Sequence, residues 1–418
     1  MEMQKRNKSS RYQLLIIFAA TLYANVTQQV FASQQQADYN IIKKEAARTL
    51  RKDPNNLTDE DLTKITELQL FRGELRDLKY LEKFTNLQKL DIQNIRFPKS
   101  EINNGTVTSG TTIPQEKQAF DLSPLEKLPN LTFLCISNLP VKNIEPLKSL
   151  KNLQVLALLC NVPDLEPLKE LKNLNHLTLS QNKPIDLEFI KGYKNLQKLI
   201  LPNTPISNIE PIKGLTSLLE LSILNTKVSD IGPLRGLVNL QNLNLYQTQV
   251  SDLRPITNLT QITTLNISES KVTNLEPVSG LVNLRTLQMN KTEVLNISPL
   301  KELRNLRSLG MVETKVTDIS PLHGLVNLDL IDIRGTKISD LSPLMGMTNL
   351  RTARIDATKI TDLKPLESVP NLREVIFQNY DHITEGQIAD LRNSSQRLLV
   401  EFETSNGISG SRTPRPLF

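Results

Sequence analysis

Pro233-Leu-Arg-Gly-Leu-Val-Asn-Leu-Gln-Asn-Leu-Asn-Leu-Tyr-Gln-Thr-Gln-Val-Ser-Asp-Leu-Arg254 is one copy of a unit that repeats every 22 residues. The same interval separates a long series of prolines: Pro211, Pro233, Pro255, Pro277, Pro299, Pro321, Pro343 and Pro365. Phe189 takes the proline position once, and Pro124, Pro146 and Pro167 extend the series toward the N-terminus. Self-similarity at this period predicts a solenoid, in which stacked units share one core.

Each unit carries a leucine pair ten residues after its proline, such as Leu221/Ile223 and Leu243/Leu245. This alternation predicts a short strand with one buried face. The pattern L-x-x-L-x-L-x-x-N/T is the leucine-rich repeat signature. We therefore predict an α/β leucine-rich repeat solenoid, or horseshoe, of fourteen repeat strands. A parallel β-sheet would line its concave face, short 3-10 or turn segments its convex face, and a helical cap its N-terminus.

The residues that follow each strand predict turns. A small hydroxyl or amide comes five residues after the first leucine, as in Thr226, Thr292 and Asn182, and we expect it to satisfy the turn backbone of the neighbouring unit. Pairs such as Ser229-Asp230 bond to nearby backbone and favour turns. The proline that follows presets φ for a tight turn or a short helix.

Residues 1–32 have the pattern of a signal peptide. Basic residues precede the apolar run Leu14–Ala20, and Val30-Phe-Ala32 allows cleavage before Ser33, with Ala24 as another candidate. The apolar run is too short for a stable membrane span. An uncleaved anchor or a frayed terminus remains the alternative.

The remaining boundaries follow from changes in pattern. We assign residues 33–66 to an N-terminal cap, in which Thr58-Asp-Glu-Asp61 is either a capping box or an acidic loop. Residues 67–379 form the repeats, and residues 93–121 break the period as an insertion loop. Residues 380–403 form a C-terminal cap, and residues 404–418 are predicted to be a disordered tail.

The chain resembles the internalin family over roughly residues 38–379. The strings Glu45-Ala-Ala-Arg-Thr-Leu50, Leu57-Thr-Asp-Glu-Asp-Leu62 and Asn86-Leu-Gln-Lys-Leu-Asp-Ile92 are similar to the cap and first repeats of that family. The resemblance implies a secreted or surface bacterial protein whose concave sheet binds a partner protein. Only 39 residues follow residue 379, fewer than the ~100 of an immunoglobulin-like domain, so we expect a free secreted binder.

The residues beside and between the leucines of each pair should face outward on the concave side. Apolar residues dominate the first part of this face, and opposed charges occur in the last part, a pattern typical of a protein-binding surface. The candidate partner-binding residues are Phe133, Val155, Leu159, His176, Ile200, Leu224, Tyr246, Asp332, Arg334, Arg354 and Asp356. The alternative is that the insertion loop covers the apolar part.

The sequence contains no motif for catalysis, a cofactor or a metal site. Cys135 and Cys160 occupy positions too far apart for a disulfide, so we expect free thiols. Of the net charge of +6, residues 1–32 contribute +3, and the remainder is too small to indicate nucleic-acid binding. We predict a monomeric, secreted, non-catalytic binding protein. The alternative is an intracellular scaffold resembling the leucine-rich repeat subunit of a Ser/Thr phosphatase.

Overall fold

A computed structural model of the 418-residue chain describes residues 38–71, 75, 77–94, 119–356, 359–378, 383–395, 397–403 and 409–410. The predicted signal peptide, residues 95–118 of the predicted insertion loop and most of the predicted tail lie outside the described residues. The chain divides into two compact units, Met1–Asn173 and Leu174–Phe418. Each unit is described by itself.

The first unit begins with two helices and continues with four parallel strands. Helix α1 covers residues 38–50 and buries Ile42, Ala46 and Ala47. Helix α2 (Asp59–Thr63) begins with a capping box between Thr58 and Asp61, which confirms the capping-box alternative for this acidic stretch. The strands are β1 (Glu67–Phe71), β2 (Lys89–Gln93), β3 (Phe133–Ser137) and β4 (Val155–Leu159).

The second unit continues the same pattern with ten further repeat strands. They are β5 (His176–Leu179), β6 (Lys198–Ile200), β7 (Glu220–Ser222), β8 (Asn242–Asn244), β9 (Thr264–Asn266), β10 (Thr286–Gln288), β11 (Ser308–Gly310), β12 (Leu330–Asp332), β13 (Thr352–Asp356) and β14 (Glu374–Gln378). All pair in parallel, and the register joins equivalent leucines, as in Leu221↔Leu243.

The C-terminal part of this unit adds two helices and two strands. Helix α3 is Lys364–Glu367, and α4 (Glu385–Ser394) also begins with a capping box. Strand β15 (Leu399–Glu403) pairs in parallel with β14. Within the predicted disordered tail, β16 (Ser409–Gly410) pairs with β15 in the antiparallel direction.

The leucine-rich repeat solenoid predicted from the sequence is confirmed. The paired leucines of the repeat strands are fully buried, as at Leu221, Ile223, Leu243 and Leu245. Between the strands the chain forms short helices, mostly 3-10, most of which have proline in the first turn. These turns are fixed by acidic or amide side chains: Asp230 Oδ1 accepts a hydrogen bond from the Gly232 backbone N–H at 2.7 Å.

The predicted role of the repeated hydroxyl is wrong for most of its members. The hydroxyls of Thr226, Thr248, Ser270, Thr292, Thr314 and Thr336 each donate to a carbonyl three residues earlier in their own turn. The tight turn places that carbonyl within 2.6–2.8 Å, so the hydroxyl does not reach the neighbouring unit. Only Thr204, among the described members of this series, donates to the preceding unit, at Leu179 O.

Asparagine side chains, rather than these hydroxyls, link neighbouring repeats. In most of the Asn-Leu pairs that lie just before a repeat strand, the asparagine amide donates to a backbone carbonyl of the preceding repeat, for example Asn239 to Thr216 and Asn305 to Val282, both at 2.9 Å. The carbonyl belongs to a turn and would otherwise need water. This row of amides holds successive turns at a fixed spacing, and so fixes the strands that carry the outward-facing side chains.

Candidate partner-binding face

The side chains that alternate with the buried leucines form what we call the open face of the sheet in each unit. Along β4, for example, Val155, Ala157 and Leu159 are half-buried, while the two leucines between them are buried. This alternation follows from the strand geometry, in which successive side chains point to opposite sides. Side chains of the open face therefore project from backbone that is fixed by hydrogen bonds on both sides.

The open face of the first unit is largely apolar along β3 and β4. Phe133, Val155 and Leu159 of the predicted site are all half-buried here, and Phe133 lies directly opposite Val155 in the strand register. Cys135 lies between these residues and is buried. Burial raises the pKa of the Cys135 thiol to about 12, and it raises that of Cys160 to about 12 as well. Neither cysteine forms a disulfide in the structure.

The first strands of the second unit carry three further predicted residues, His176, Ile200 and Leu224, which are half-buried. Burial lowers the pKa of His176, and the nearby Lys198 adds to this effect. Lys198 itself forms an ion pair with Glu220 at 3.0 Å. The ring nitrogen Nδ1 of His176 lies 2.6 Å from the amide oxygen of the adjacent Asn175, which is neither a nucleophile nor a carboxylate.

A polar groove of about 440 Å³ lies on the open face between β8 and β13. It brings together four of the predicted residues: Tyr246, Asp332, Arg334 and Arg354. Its other lining residues are Asn266, Ser268, Glu269, Gln288, Asn290, Lys291 and Val312. Asp356 ends β13, and its side chain lies outside the described part of the structure.

Amide and hydroxyl side chains along the groove bond to one another and to the backbone. The side-chain oxygen of Asn290 accepts a hydrogen bond from the Val312 backbone N–H at 2.9 Å. The backbone N–H of Asn290 donates to Ser268 Oγ at 3.1 Å. The side-chain oxygen of Asn266 accepts from the Ser268 backbone N–H at 3.0 Å. These bonds fix the rotamers of the groove wall before any ligand arrives.

Two arginines and one aspartate form the charged end of the groove. Asp332 is buried, and its carboxylate accepts two hydrogen bonds from Arg334, from Nε at 2.9 Å and from Nη2 at 2.8 Å. This bidentate pair is the strong geometry for an arginine and a carboxylate. Arg354 Nη1 is 3.8 Å from the same carboxylate, beyond hydrogen-bonding distance.

Glu269 and Lys291 line the groove although the sequence did not indicate them. Both adopt left-handed backbone, with φ near +55° and +54°, at a position that recurs after successive strands. Glu269 accepts hydrogen bonds from Gln247 Nε2 at 2.6 Å and from the Tyr246 hydroxyl at 3.0 Å. The bond from Gln247, and then that from Tyr246, lowers the pKa of Glu269, and the carboxylate raises the pKa of Tyr246.

Gly310 creates space in the middle of the groove. A Cβ atom at this position would lie 2.1 Å from Gln288 Oε1 and 3.0 Å from Asn290 Oδ1. The absence of a side chain therefore lets Gln288 lie across β11. Alternation along β11 assigns Gly310 to the outward-facing row but does not indicate this close approach.

No protein-family model matches the chain, and no curated protein matches it. Among solved structures, it is similar to the internalin InlF from Listeria monocytogenes, with 27% identity and a TM-score of 0.67, over 81% of this chain and 96% of that one. A leucine-rich repeat protein from Leptospira interrogans matches with 19% identity and a TM-score of 0.57, over 82% and 97%. The plant peptide hormone receptor RGFR1, in complex with RGF2, matches with 16% identity and a TM-score of 0.53, over 83% and 60%.

Two findings bear on membrane and metal binding. None of the helices formed by the described residues has the length and apolar character needed to cross a membrane. Across the same parts of the chain, histidine, cysteine and carboxylate side chains do not gather in threes or more at a site that could hold a metal ion.

Proposed function

We propose, from the internalin-like leucine-rich repeat fold of this chain, that it is a secreted protein that binds a partner protein through its open face without chemical catalysis. The likeness to the Listeria internalin supports this proposal because it spans most of both chains. Leucine-rich repeat proteins generally mediate protein binding, and a solenoid offers an extended surface for it.

The observation that carries the proposal is the groove on the second unit. Its polar side chains are already held by hydrogen bonds, as between Asn290 and Val312, and its charged end is fixed by the pair of Asp332 and Arg334. A surface ordered in this way loses little side-chain freedom when a partner binds. The half-buried apolar residues on the open face of the first unit add the kind of area that contributes most to protein association.

The chemistry of the candidate nucleophiles supports binding rather than catalysis. Both cysteines have pKa values raised to about 12, so almost no thiolate exists near neutral pH. His176, the one histidine on the open face among the described residues, contacts an amide oxygen rather than a serine, a cysteine or a carboxylate. A nucleophile and base pair needs such a contact.

Site-specific photocrosslinking tests the binding face. A photoreactive amino acid is placed at Tyr246 in the groove or, as a matched control, at Val282, which lies on a turn outside the open face and is 50% exposed. We expect discrete adducts with one partner from Tyr246, competed by unmodified protein and weakened by Phe133→Asp. Equal adducts from both positions would place the binding surface elsewhere.

Secretion is tested separately by fractionating the producing cells and sequencing the N-terminus of the mature protein. We expect the protein in the medium or at the surface, beginning at Ser33 or near Ala24. A pool confined to the cytosol that retains Met1 would favour the scaffold alternative and contradict secretion.

A further inference from the structure

The groove contains one guanidinium group whose hydrogen-bonding capacity is not met within the described parts of the chain. Arg354 Nε is buried and has no hydrogen-bond partner among the described residues. Its Nη1 atom lies 3.8 Å from Asp332 Oδ2, and that oxygen already accepts from Arg334 at 2.8 Å. Buried donors in native proteins are normally paired, so this atom points to an acceptor that comes from outside the chain.

The charges of the lining residues favour a single negative charge as that acceptor. The described lining has three cations and two carboxylates, because Lys291, Arg334 and Arg354 stand against Glu269 and Asp332. Arg334 is paired with Asp332, and Lys291 lies 3.8 Å from Glu269, which leaves Arg354 as the one cation of the described lining without a carboxylate of its own. A carboxylate would balance it, whereas a dianion such as phosphate would leave negative charge beside Asp332.

The dimensions of the groove favour an extended peptide. The lining runs from Tyr246, which follows β8, to Arg354 on β13, a distance of five strand steps. At ~4.8 Å per step this is roughly 24 Å, the length of about seven residues of extended chain. The amide side chains of Asn266, Gln288 and Asn290 along this path offer both donors and acceptors, which suits backbone peptide groups.

We propose that the groove binds an extended peptide segment of the partner, and that an aspartate or glutamate side chain of this segment accepts hydrogen bonds from Arg354. The inference rests on the proposed partner-binding function and gives the chemistry of what is bound. A charge-assisted hydrogen bond of this kind gives both affinity and register, because the carboxylate can meet the guanidinium at only one point along the groove.

The test uses four probes with the full-length protein. The first is a seven-residue Ser/Gly peptide with blocked ends and one central glutamate, and the second has glutamine in its place. The third is the glutamine peptide with a free C-terminal carboxylate, and the fourth is inorganic phosphate. Binding is followed by the NMR signals of arginine Nε–H groups, in which the Arg354 signal is identified by its loss in Arg354→Gln.

We expect the glutamate peptide to shift the Arg354 signal and to bind at least about tenfold more tightly than the glutamine peptide, as a hydrogen bond to a charged group provides. The chain-end carboxylate and phosphate should bind less well than the glutamate peptide. Equal binding of the two blocked peptides would overturn the proposal. Preference for the free chain end or for phosphate would overturn the side chain as the source of the charge.

Three variants separate a binding role for Arg354 from a general effect of charge. Arg354→Gln should lower the affinity for the glutamate peptide to that of the glutamine peptide. Arg351→Gln removes the same charge outside the groove, where Arg351 lies 3.5 Å from Asp329, and should change nothing. Asp332→Asn should strengthen binding because it removes the competing carboxylate. Equal losses in the two arginine variants, or weaker binding by folded Asp332→Asn, would contradict the proposal.

Failure of this inference is distinguishable from failure of the proposed function. If a partner crosslinks at Tyr246 but Arg354→Gln captures it as well as the unmodified protein does, the chain binds a partner and the acidic-peptide inference is wrong. If Tyr246 and Val282 crosslink alike, the proposed function itself fails, and the inference fails with it.

Discussion

Replacing Arg334 should destabilise the protein more than replacing its partner Asp332, although both changes break the same ion pair. The reason is the difference in burial: the Asp332 side chain is 9% exposed and that of Arg334 is 22% exposed. Arg334→Gln leaves a buried carboxylate, whereas Asp332→Asn leaves two guanidinium groups that reach water more easily. Leaving the more buried charge without its partner lowers the stability of the folded state more.

The magnitude follows from the contacts that are lost. Arg334 donates two hydrogen bonds to Asp332, at 2.9 and 2.8 Å, and each bond to a charged group contributes about 1.5–3 kcal/mol. Arg354 at 3.8 Å compensates in part for the loss of Arg334. We expect Arg334→Gln to lower the free energy of unfolding by about 2–3 kcal/mol and Asp332→Asn by about 1–2 kcal/mol, both below the roughly 3–5 kcal/mol for a fully buried pair because this pair is partly exposed.

The assay is urea-induced unfolding of the two single variants and the double variant, followed by circular dichroism. Because a solenoid can open locally, hydrogen exchange of the β12 amides is measured alongside. The double-mutant cycle should give a coupling of about 1 kcal/mol or more between the two side chains. A larger loss from Asp332→Asn than from Arg334→Gln, or a coupling near zero, would refute the reasoning from burial.

Three further predictions concern the groove, the cap and the thiols. Gly310→Ala should displace the Gln288 side chain and reduce partner crosslinking at Tyr246, while the free energy of unfolding changes by less than ~1 kcal/mol; Gly236→Ala, which meets no atom within 4 Å, is the matched control. The bond from Lys52, and then that from the Thr58 backbone, lowers the pKa of Asp61 to about 2. Because this folded value is below the unfolded value of about 3.9, the stabilisation is present above about pH 4 and is lost as the pH falls toward 2; Asp61→Asn should remove this pH dependence from urea midpoints, and a variant that keeps it would exclude Asp61 as the source. Cys135 and Cys160 should not react with a thiol reagent at pH 8 until the protein is unfolded, because their pKa values are about 12, and rapid labelling of the native protein would contradict their burial.

The period predicted the strands because core packing requires the same residue type at the same step. A leucine such as Leu243 lies between its equivalents in the adjacent repeats. Each repeat therefore needs an apolar side chain of similar size at the same position. The direction of the hydroxyl bonds could not be read in this way. Thr226 has a carbonyl within its own turn at 2.8 Å, and the spacing of units does not reveal this nearer acceptor.

The groove was predictable only in part. Tyr246, Asp332, Arg334 and Arg354 stand at positions that alternation assigns to the outward face. Glu269 and Lys291 belong to a left-handed turn position, and alternation ends where the strand ends. One indication was present in the sequence: long charged side chains occupy a position that holds asparagine at Asn203 and Asn225, and asparagine adopts left-handed backbone more readily.

The left-handed position shows how one repeat can serve both folding and binding. Asn203 and Asn225 adopt the left-handed backbone conformation readily, and their side chains are hydrogen-bonded to each other at 2.9 Å, which serves the solenoid alone. Glu269 and Lys291 adopt the same left-handed conformation although their side chains favour it less, at a cost of order 1 kcal/mol each. Both residues line the groove, where Glu269 accepts a hydrogen bond from the Tyr246 hydroxyl, so in these two repeats the left-handed position contributes to the candidate binding surface as well as to the turn.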